Sequence, residues 1–373
     1  MSDQPVIFEE RPANNGRRIG FARLNAERAL NALSQTMIDA LRERLAAWVQ
    51  DPELACVVLE GRGAKAFCAG GDVIALYDSM RACPGGPNPV AERFFETEYR
   101  LDYQIHTYPK PVLCWGHGIV MGGGLGLLAG ASHRIVTERS HIAMPEVTLG
   151  LYPDVGGTWF LNRMPGRVGL FLGLTGAALN AGDALYVGLA DYFIPAERRA
   201  ELDTALAEVD WSEDPERNRG LLARLLRSFF EASHDACPAS NVLAHRNFID
   251  QVTDHYCLDE IIELLRRQTA DDPWLAGAAK ALLEGSPTSA RVIFEQYRRG
   301  RLLSLKEAFM RELVMSVQLT RHPDFAEGIR ARLIDRDHKP RWRPANHAEV
   351  TDAHVAAYFT PPPDLQPNPL ADL

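Results

Sequence analysis

Two carboxylates stand eight positions apart in PEVTLGLYPDVGG, residues 145–157: Glu146 and Asp154, each directly after a proline. Only Val, Thr, Leu, Gly, Tyr and Pro lie between them. An acid in such apolar company must be paired, protonated or put to use. Two acids in one pocket can divide the work of a base or nucleophile and an acid. On an alternating strand an offset of eight would put both on one face. The prolines and glycines argue instead for a segment bent around a pocket. A third acid is Glu98. In the helix expected over 89–108 the apolar stripe runs Val90, Phe94, Leu101, Ile105, and the position four after Phe94 is Glu98. The competing reading rotates that helix slightly, turns Phe95 and Tyr99 inward and leaves Glu98 at the rim.

Two glycine-rich stretches bear on the same chemistry. FCAGGD (67–72) reads as a strand end followed by a glycine turn, and GHGIVMGGGLG (116–126) as a glycine run opening a helix. Two such turns, one at a helix N-terminus, can present two backbone N–H groups to one oxygen, an oxyanion hole aided by the helix dipole. With a carboxylate nearby this suits an enolate or a tetrahedral thioester intermediate. Other motifs are weaker. GRGAKA (61–66) and GLGLLA (124–129) match G-x-G-x-x-G/A. The first has no helix straight after it, and the second begins nine residues past the strand ending at Trp115, too far for a tight β–α turn. AGASHR (129–134) lacks the closing glycine of a nucleophile elbow. There is no H-E-x-x-H and no P-loop, and His106, His117, His133 and His141 lack ligand spacing.

The elements that must position these residues follow from periodicity. VIFEE (6–10), RIGFARLN (18–25), ACVVLEG (55–61), PVLCW (111–115), RIVTE (134–138) and HIAM (141–144) read as short strands. Ser34 is the expected N-cap of a helix to about Gln50, with Met37, Leu41, Leu45 and Trp48 at helical spacing. Strands alternating with helices predict an α/β architecture. After about residue 200 helical periodicity takes over, in LLARLLRSFFEA (221–232), LDEIIELLRRQ (258–268), WLAGAAKALLEG (274–285) and SLKEAFMRELVMSVQL (304–319). The expected organisation is a catalytic core over 1–200, a helical region over 201–360 and a proline-rich, disordered tail over 361–373.

Bulk properties narrow the partners. The chain has 373 residues, a length that accommodates two domains, and a net charge of −9, which argues against nucleic acid or an anionic membrane as partner. GIVMGGGLGLLAGA (118–131) is too short to span a bilayer, and the N-terminus has no basic and apolar leader pattern. The six cysteines form no C-x-x-C pair, and reduced thiols in the cytoplasm are the expectation.

Together, ERALNALS (27–34), AFCAGGD, GHGIVMGGGLG and PEVTLGLYPDVGG resemble the crotonase (enoyl-CoA hydratase/isomerase) superfamily. The resemblance implies a spiral of β-β-α units with a C-terminal helical region, and an acyl-CoA substrate whose thioester oxygen is held by the Gly71 and Gly123 N–H groups. It implies CoA along Arg28, Ala29 and Leu30 and the loop holding Lys65, Ala66 and Ala69, with Arg62 a further basic neighbour. Glu98, Gly122, Asp72, Val73, Pro145 and Leu149 fall to the acyl side, where Trp159 and Phe160 are further candidates. One departure matters. Hydratases of the superfamily carry a second glutamate two residues after the glycine triplet, where this chain has Gly126. Glu146, Asp154 and Glu98, continued by GSPTSARV (285–292) and HPDFAEGIRARLIDRDHKPRW (322–342), are instead similar to the subgroup of 3-hydroxyisobutyryl-CoA hydrolases. That implies thioester hydrolysis with Glu146 attacking or activating water, Asp154 as its partner, no metal or redox cofactor, and room for a homo-oligomer.

Overall fold

Five of the six apolar runs that read as strands join one sheet, and HIAM joins a second, smaller one with two short strands from the glycine-rich stretches. The computed structural model describes residues 4–268 and 272–373. Its nine strands are β1 (Val6–Pro12), β2 (Arg18–Leu24), β3 (Leu54–Gly61), β4 (Ala66–Cys68), β5 (Val112–Gly116), β6 (Ile119–Met121), β7 (His133–Val136), β8 (His141–Ala143) and β9 (Tyr192–Phe193). The larger sheet has the order β1-β2-β3-β5-β7-β9, antiparallel at β1–β2 and parallel thereafter. The smaller has the order β4-β6-β8. Each consecutive pair, β3/β4, β5/β6 and β7/β8, therefore gives one strand to each sheet. This is the spiral of β-β-α units that the resemblance implies. β3 and β5 are buried almost throughout, as parallel strands covered on both faces must be.

Two compact units share the chain, and they are not sequential. The first comprises residues 1–71, 101–142 and 179–244; the second comprises 72–100, 143–178 and 245–373. A single division near residue 200 is thus corrected. The strands do end at Phe193, but the segments carrying Glu98, Glu146 and Asp154 pack with the late helices, because their apolar faces find partners there.

In the first unit Ile19, Phe21, Val58, Leu113, Trp115 and Ile135 form a core with Leu202, Leu206, Trp211, Leu222, Leu226 and Phe229. Ser34 caps the helix Gln35–Gln50, its Oγ accepting the Met37 N–H at 3.3 Å, and Met37, Leu41, Leu45 and Trp48 are buried as expected. The second unit is built on the helices Pro89–His106 (its first part), Pro273–Glu284, Pro287–Gly300 and Leu305–Thr320. Ser286 and Ser304 cap the last two.

The tail is not disordered. Its last residues form two 3-10 turns, Pro363–Leu365 and Pro369–Asp372, with Leu365 and Leu370 buried. Arg100 donates to the Pro369 carbonyl at 2.6 Å, and Lys306 to the carbonyls of Ala371 and Leu373 at 2.8 and 2.7 Å. The expectation of disorder from proline content is corrected: two leucines and two cations suffice to dock the segment.

Candidate active site

The glycine turns lie in the first unit. β4 ends at Cys68, and Gly70 follows at φ +113°, a backbone conformation open to glycine alone. Leu33 N–H donates to the Gly70 carbonyl at 2.8 Å, and Leu33 pairs with Gly71 as an isolated bridge. The glycine run opens the helix Gly123–Gly130 with Gly122 at its N-cap. The two turns meet: a Cβ on Gly70 would lie 3.9 Å from Gly123 N, and one on Gly124 would come within 2.3 Å of the Cys68 carbonyl. Gly124 is therefore glycine because the helix start abuts the end of β4. The Gly123 N–H is among the first four of its helix and has no intrahelical acceptor. Gly71 N–H donates to no backbone carbonyl in the described turns. These are the two donors expected of an oxyanion hole, held by backbone rather than by side chains.

The segments expected to follow CoA are tied to each other. Glu27–Ala29 is a 3-10 turn, Leu30 caps it at φ 53°, and the Leu30 carbonyl accepts the Ala69 N–H at 3.0 Å. Asn31, fully buried, donates to the carbonyls of Arg62 and Ala66 at 3.0 and 2.9 Å. Arg28, Ala29 and Lys65 are exposed and Leu30 and Ala69 half-buried. Ala66 is buried and Arg62 is held by Asn25 at 2.7 Å, so both serve the scaffold in this structure.

The carboxyls lie in the second unit. Glu146 opens a 3-10 turn, Glu146–Leu149, with Pro145 at its N-cap and Gly150 ending it in the left-handed region. An irregular stretch follows to the short helix Gly157–Phe160. The segment is bent, not extended, as its prolines and glycines predicted. Glu98, Glu146 and Asp154 are 3%, 4% and 5% exposed. The two readings of the Glu98 helix combine: Phe94, Phe95, Glu98 and Tyr99 are all buried, while Val90 is 60% exposed and leaves the stripe. No described residue bonds Glu98 Oε1 or Glu146 Oε2.

Asp154 is bonded to another side chain. Tyr99 Oη lies 2.8 Å from Asp154 Oδ2 and 2.6 Å from Ser316 Oγ. Ser316 Oγ lies 2.8 Å from Tyr152 Oη, and Tyr152 donates to the Glu312 carbonyl at 2.7 Å. The Glu312 carboxyl accepts the N–H groups of Gly156 and Thr158, both at 2.8 Å. Those bonds hold the chain directly after Val155, a β-branched residue at φ 50° beside Asp154. Such a conformation is strained and persists only when its surroundings over-determine it. Gln296 completes the clamp, donating to the Pro153 carbonyl at 2.6 Å and Thr158 Oγ1 at 2.8 Å.

Burial dominates the electrostatics. It drives Glu146 well above the usual carboxylate range, with Asp154 and then Glu98 adding repulsion. It drives Glu98 up likewise, Asp154 contributing. Asp154 is pushed up by burial to about 6 although the Tyr99 hydroxyl opposes this. Glu312 is pushed to about 8 by burial, against the pull of its two backbone donors. Carboxyls that repel one another in a dry cluster do not all ionise, so near neutrality the cluster holds at least one proton beside an available carboxylate. That is the equipment for attack plus acid catalysis.

Other expected residues are placed as follows. Asp72 caps the helix Val73–Ala82, accepting the Ala75 N–H at 3.2 Å, and Val73 is that helix's half-buried first residue. No described hydrogen bond joins Asp72 to the carboxyl cluster. Leu149 is half-buried, its backbone pressed on Gly328. Phe160 is buried, and Trp159 lies beneath Arg163, 3.9 Å from ring centroid to guanidinium carbon. Tyr99, Tyr152, Glu312, Ser316 and Gln296 were not expected at the site. A fully buried glutamate and serine inside the helix SLKEAFMRELVMSVQL was the one signal that could have pointed to part of this set.

The enoyl-CoA hydratase/isomerase family model matches residues 19–359. The chain belongs to that family. Among curated family members it is 37% identical over 343 residues to the mitochondrial 3-hydroxyisobutyryl-CoA hydrolase of Gallus gallus, covering 92% of this chain and 86% of that one. It is 35% identical over 363 residues to 3-hydroxyisobutyryl-CoA hydrolase 1 of Arabidopsis thaliana, covering 96% and 92%. Among solved structures it resembles a carnitinyl-CoA dehydratase from Mycobacterium thermoresistibile at a TM-score of 0.82 and 36% identity, covering 97% of this chain and 98% of that one. The crotonase fold is thereby shared over nearly the whole length.

Proposed function

We propose that this chain hydrolyses a short 3-hydroxyacyl-CoA thioester, 3-hydroxyisobutyryl-CoA foremost, to the free hydroxy acid and CoA, a step of valine catabolism. The observation that carries the reading is the pairing of Glu146 with Asp154 in one buried cluster with Glu98, while the helix Gly123–Gly130 contains no carboxylate. Water addition across a double bond calls on an acid at the glycine helix, and Gly126 supplies none. The likeness to the two 3-hydroxyisobutyryl-CoA hydrolases supports the same choice.

In this reading the Gly71 and Gly123 N–H groups bind the thioester oxygen and stabilise charge as it develops there, each donor worth about 3 kcal/mol of barrier. Glu146 attacks the carbonyl carbon, or activates the water that does; Glu98 holds the substrate's 3-hydroxyl. The thiolate leaves with a proton drawn from the cluster, and water restores the enzyme. CoA enters as part of the substrate, and no separate cofactor takes part.

Purified protein given 3-hydroxyisobutyryl-CoA and a thiol reagent should release CoA steadily. The rival reading is hydration or isomerisation of an enoyl-CoA, favoured by the likeness to the carnitinyl-CoA dehydratase. Loss of the enoyl-CoA ultraviolet band on crotonyl-CoA, with no CoA release from the hydroxy ester, would establish that rival instead.

A further inference from the structure

The hydroxyl array beside Asp154 is one proton short. Four close oxygen pairs run in a line: Asp154 Oδ2 to Tyr99, Tyr99 to Ser316, Ser316 to Tyr152, and Tyr152 to the Glu312 carbonyl. Four hydrogen bonds need four protons, and three hydroxyls supply three. The last pair ends on a carbonyl, which only accepts, so Tyr152 must spend its proton there. If Asp154 is ionised, Tyr99 spends its own on the carboxylate. Ser316 then has one proton for two neighbours, and one contact goes unfilled. If Asp154 carries a proton on Oδ2, every pair is filled in one direction: Asp154 to Tyr99, Tyr99 to Ser316, Ser316 to Tyr152, Tyr152 to the carbonyl. All four residues with hydroxyl or carboxyl groups in this line are buried.

Burial and repulsion alone would ionise Asp154, at about 6, before Glu146 and Glu98; the hydroxyl line reverses that order, because the other carboxyls offer no such outlet. A proton on Glu98 Oε1 or Glu146 Oε2 would be donated to no described partner. The titratable groups facing Asp154 are Glu98 and Tyr99 on one helix, Glu146 and Tyr152 on its own segment, and Glu312 on the helix Leu305–Thr320. None of these is a cation, so nothing among them compensates an Asp154 charge.

We propose that Tyr99, Ser316 and Tyr152 are positioning residues, a one-way hydroxyl chain that keeps a proton on Asp154 and so makes Asp154 the acid and Glu146 the ionised attacking group. The assignment of roles rests on the hydrolase reading. Glu146 forms a bond to the thioester carbonyl carbon and the C–S bond breaks. The thiolate takes the Asp154 proton, leaving CoA, an acyl–Glu146 anhydride and an Asp154 carboxylate. Tyr99 turns its hydroxyl to that carboxylate, and one contact of the chain stays open. Water then attacks the anhydride, one of its protons returns to Asp154, and the hydroxy acid leaves with Glu146 again free.

The chain gives a sign that simple polarity does not. Ser316→Ala removes two contacts and one proton, so an ionised Asp154 no longer leaves a gap. The Asp154 midpoint should fall by about 0.7 pH unit, one hydrogen bond's worth. Tyr152→Phe should lower it in the same way. Tyr99→Phe removes the donor to the carboxylate and should raise it. A hydroxyl acting only by strengthening the Tyr99 donor would make Ser316→Ala raise the midpoint instead. The test is an infrared titration of the whole protein without substrate, following the carboxylic-acid carbonyl band that Asp154→Asn removes, with thermal melts to verify folding. Lower midpoints in Ser316→Ala and Tyr152→Phe support the chain; unchanged or higher midpoints overturn it. The alkaline limb of CoA release should shift with the band. If the wild type releases no CoA while the band shifts as stated, the hydrolase reading falls and the chain stands. If CoA is released but the midpoints do not fall, the reverse holds.

Discussion

The glycine turns and the carboxyl cluster are built on opposite principles. The first unit offers backbone: the turns that carry the proposed donors, Gly71 and Gly123, are held by strand pairing and by the abutment of Gly124 on Cys68. Nothing there titrates, and the arrangement costs little because it is part of the fold. The second unit makes its site from side chains that water would hold more comfortably. Glu98, Glu146, Asp154 and Glu312 are buried against their preference, and Val155 is bent against its own. The contrast teaches where each site is vulnerable. A backbone site is broken by volume, a buried-charge site by a change of charge, and changes of charge there should separate stability from activity.

The largest expected effect is on the rate. Glu146→Gln should lower CoA release on the order of 10³-fold or more, as loss of an attacking group does, with a melting temperature equal to or above the wild type's. A parallel fall in melting temperature would mean that Glu146 is structural. Next is Gly124→Ala, whose methyl would meet a backbone carbonyl at 2.3 Å. It should cost about 1–3 kcal/mol of stability in urea unfolding and slow the reaction by displacing the Gly123 donor. A neutral outcome would show that the helix start can move and that the backbone site is not rigid.

Glu98→Gln should do the reverse, gaining about 1–3 kcal/mol by removing an uncompensated buried acid while impairing substrate binding. The pH dependence has a definite sign. Because the Glu98 carboxyl is raised above its ordinary value of 4.5, its favourable contribution is complete below that value and is lost as pH rises through the folded-state value. That contribution should therefore be lost with rising pH from about 4.5 upward, so the stability of Glu98→Gln relative to the wild type should grow with pH in melts taken across the range. The smallest effect is a control for glycine. Gly277, in the helix Pro273–Glu284, has open space where an alanine methyl would sit, with nothing within 4 Å. Gly277→Ala should stabilise by about 1 kcal/mol and leave CoA release unchanged, in contrast to Gly124→Ala.

How much of this was legible in the sequence divides along the same line. The glycine turns were readable because their chemistry is local: AFCAGGD and GHGIVMGGGLG each carry strand, turn and helix start within a dozen residues. Glu98 was readable from one position on a helical stripe. The partners of Asp154 were not, because Tyr99 and Ser316 are 217 residues apart and Tyr152 and Ser316 are 164 apart. Neither composition nor periodicity records such pairings. The interleaved units and the docked tail were missed for the same reason. Leu365 and Leu370 lie among prolines, and only the folded second unit shows what they bury against.

Glu312 has a consequence for time as well as for geometry. It fixes the turn after Asp154 through Gly156 and Thr158, across separations of 156 and 154 residues. Such long-range contacts come late, after the entropy of closing large loops has been overcome. During synthesis the strands and glycine turns of the first unit can pair while the helix Leu305–Thr320 has yet to emerge. The glycine turns of a nascent chain can thus be complete long before the turn that carries Asp154 is fixed.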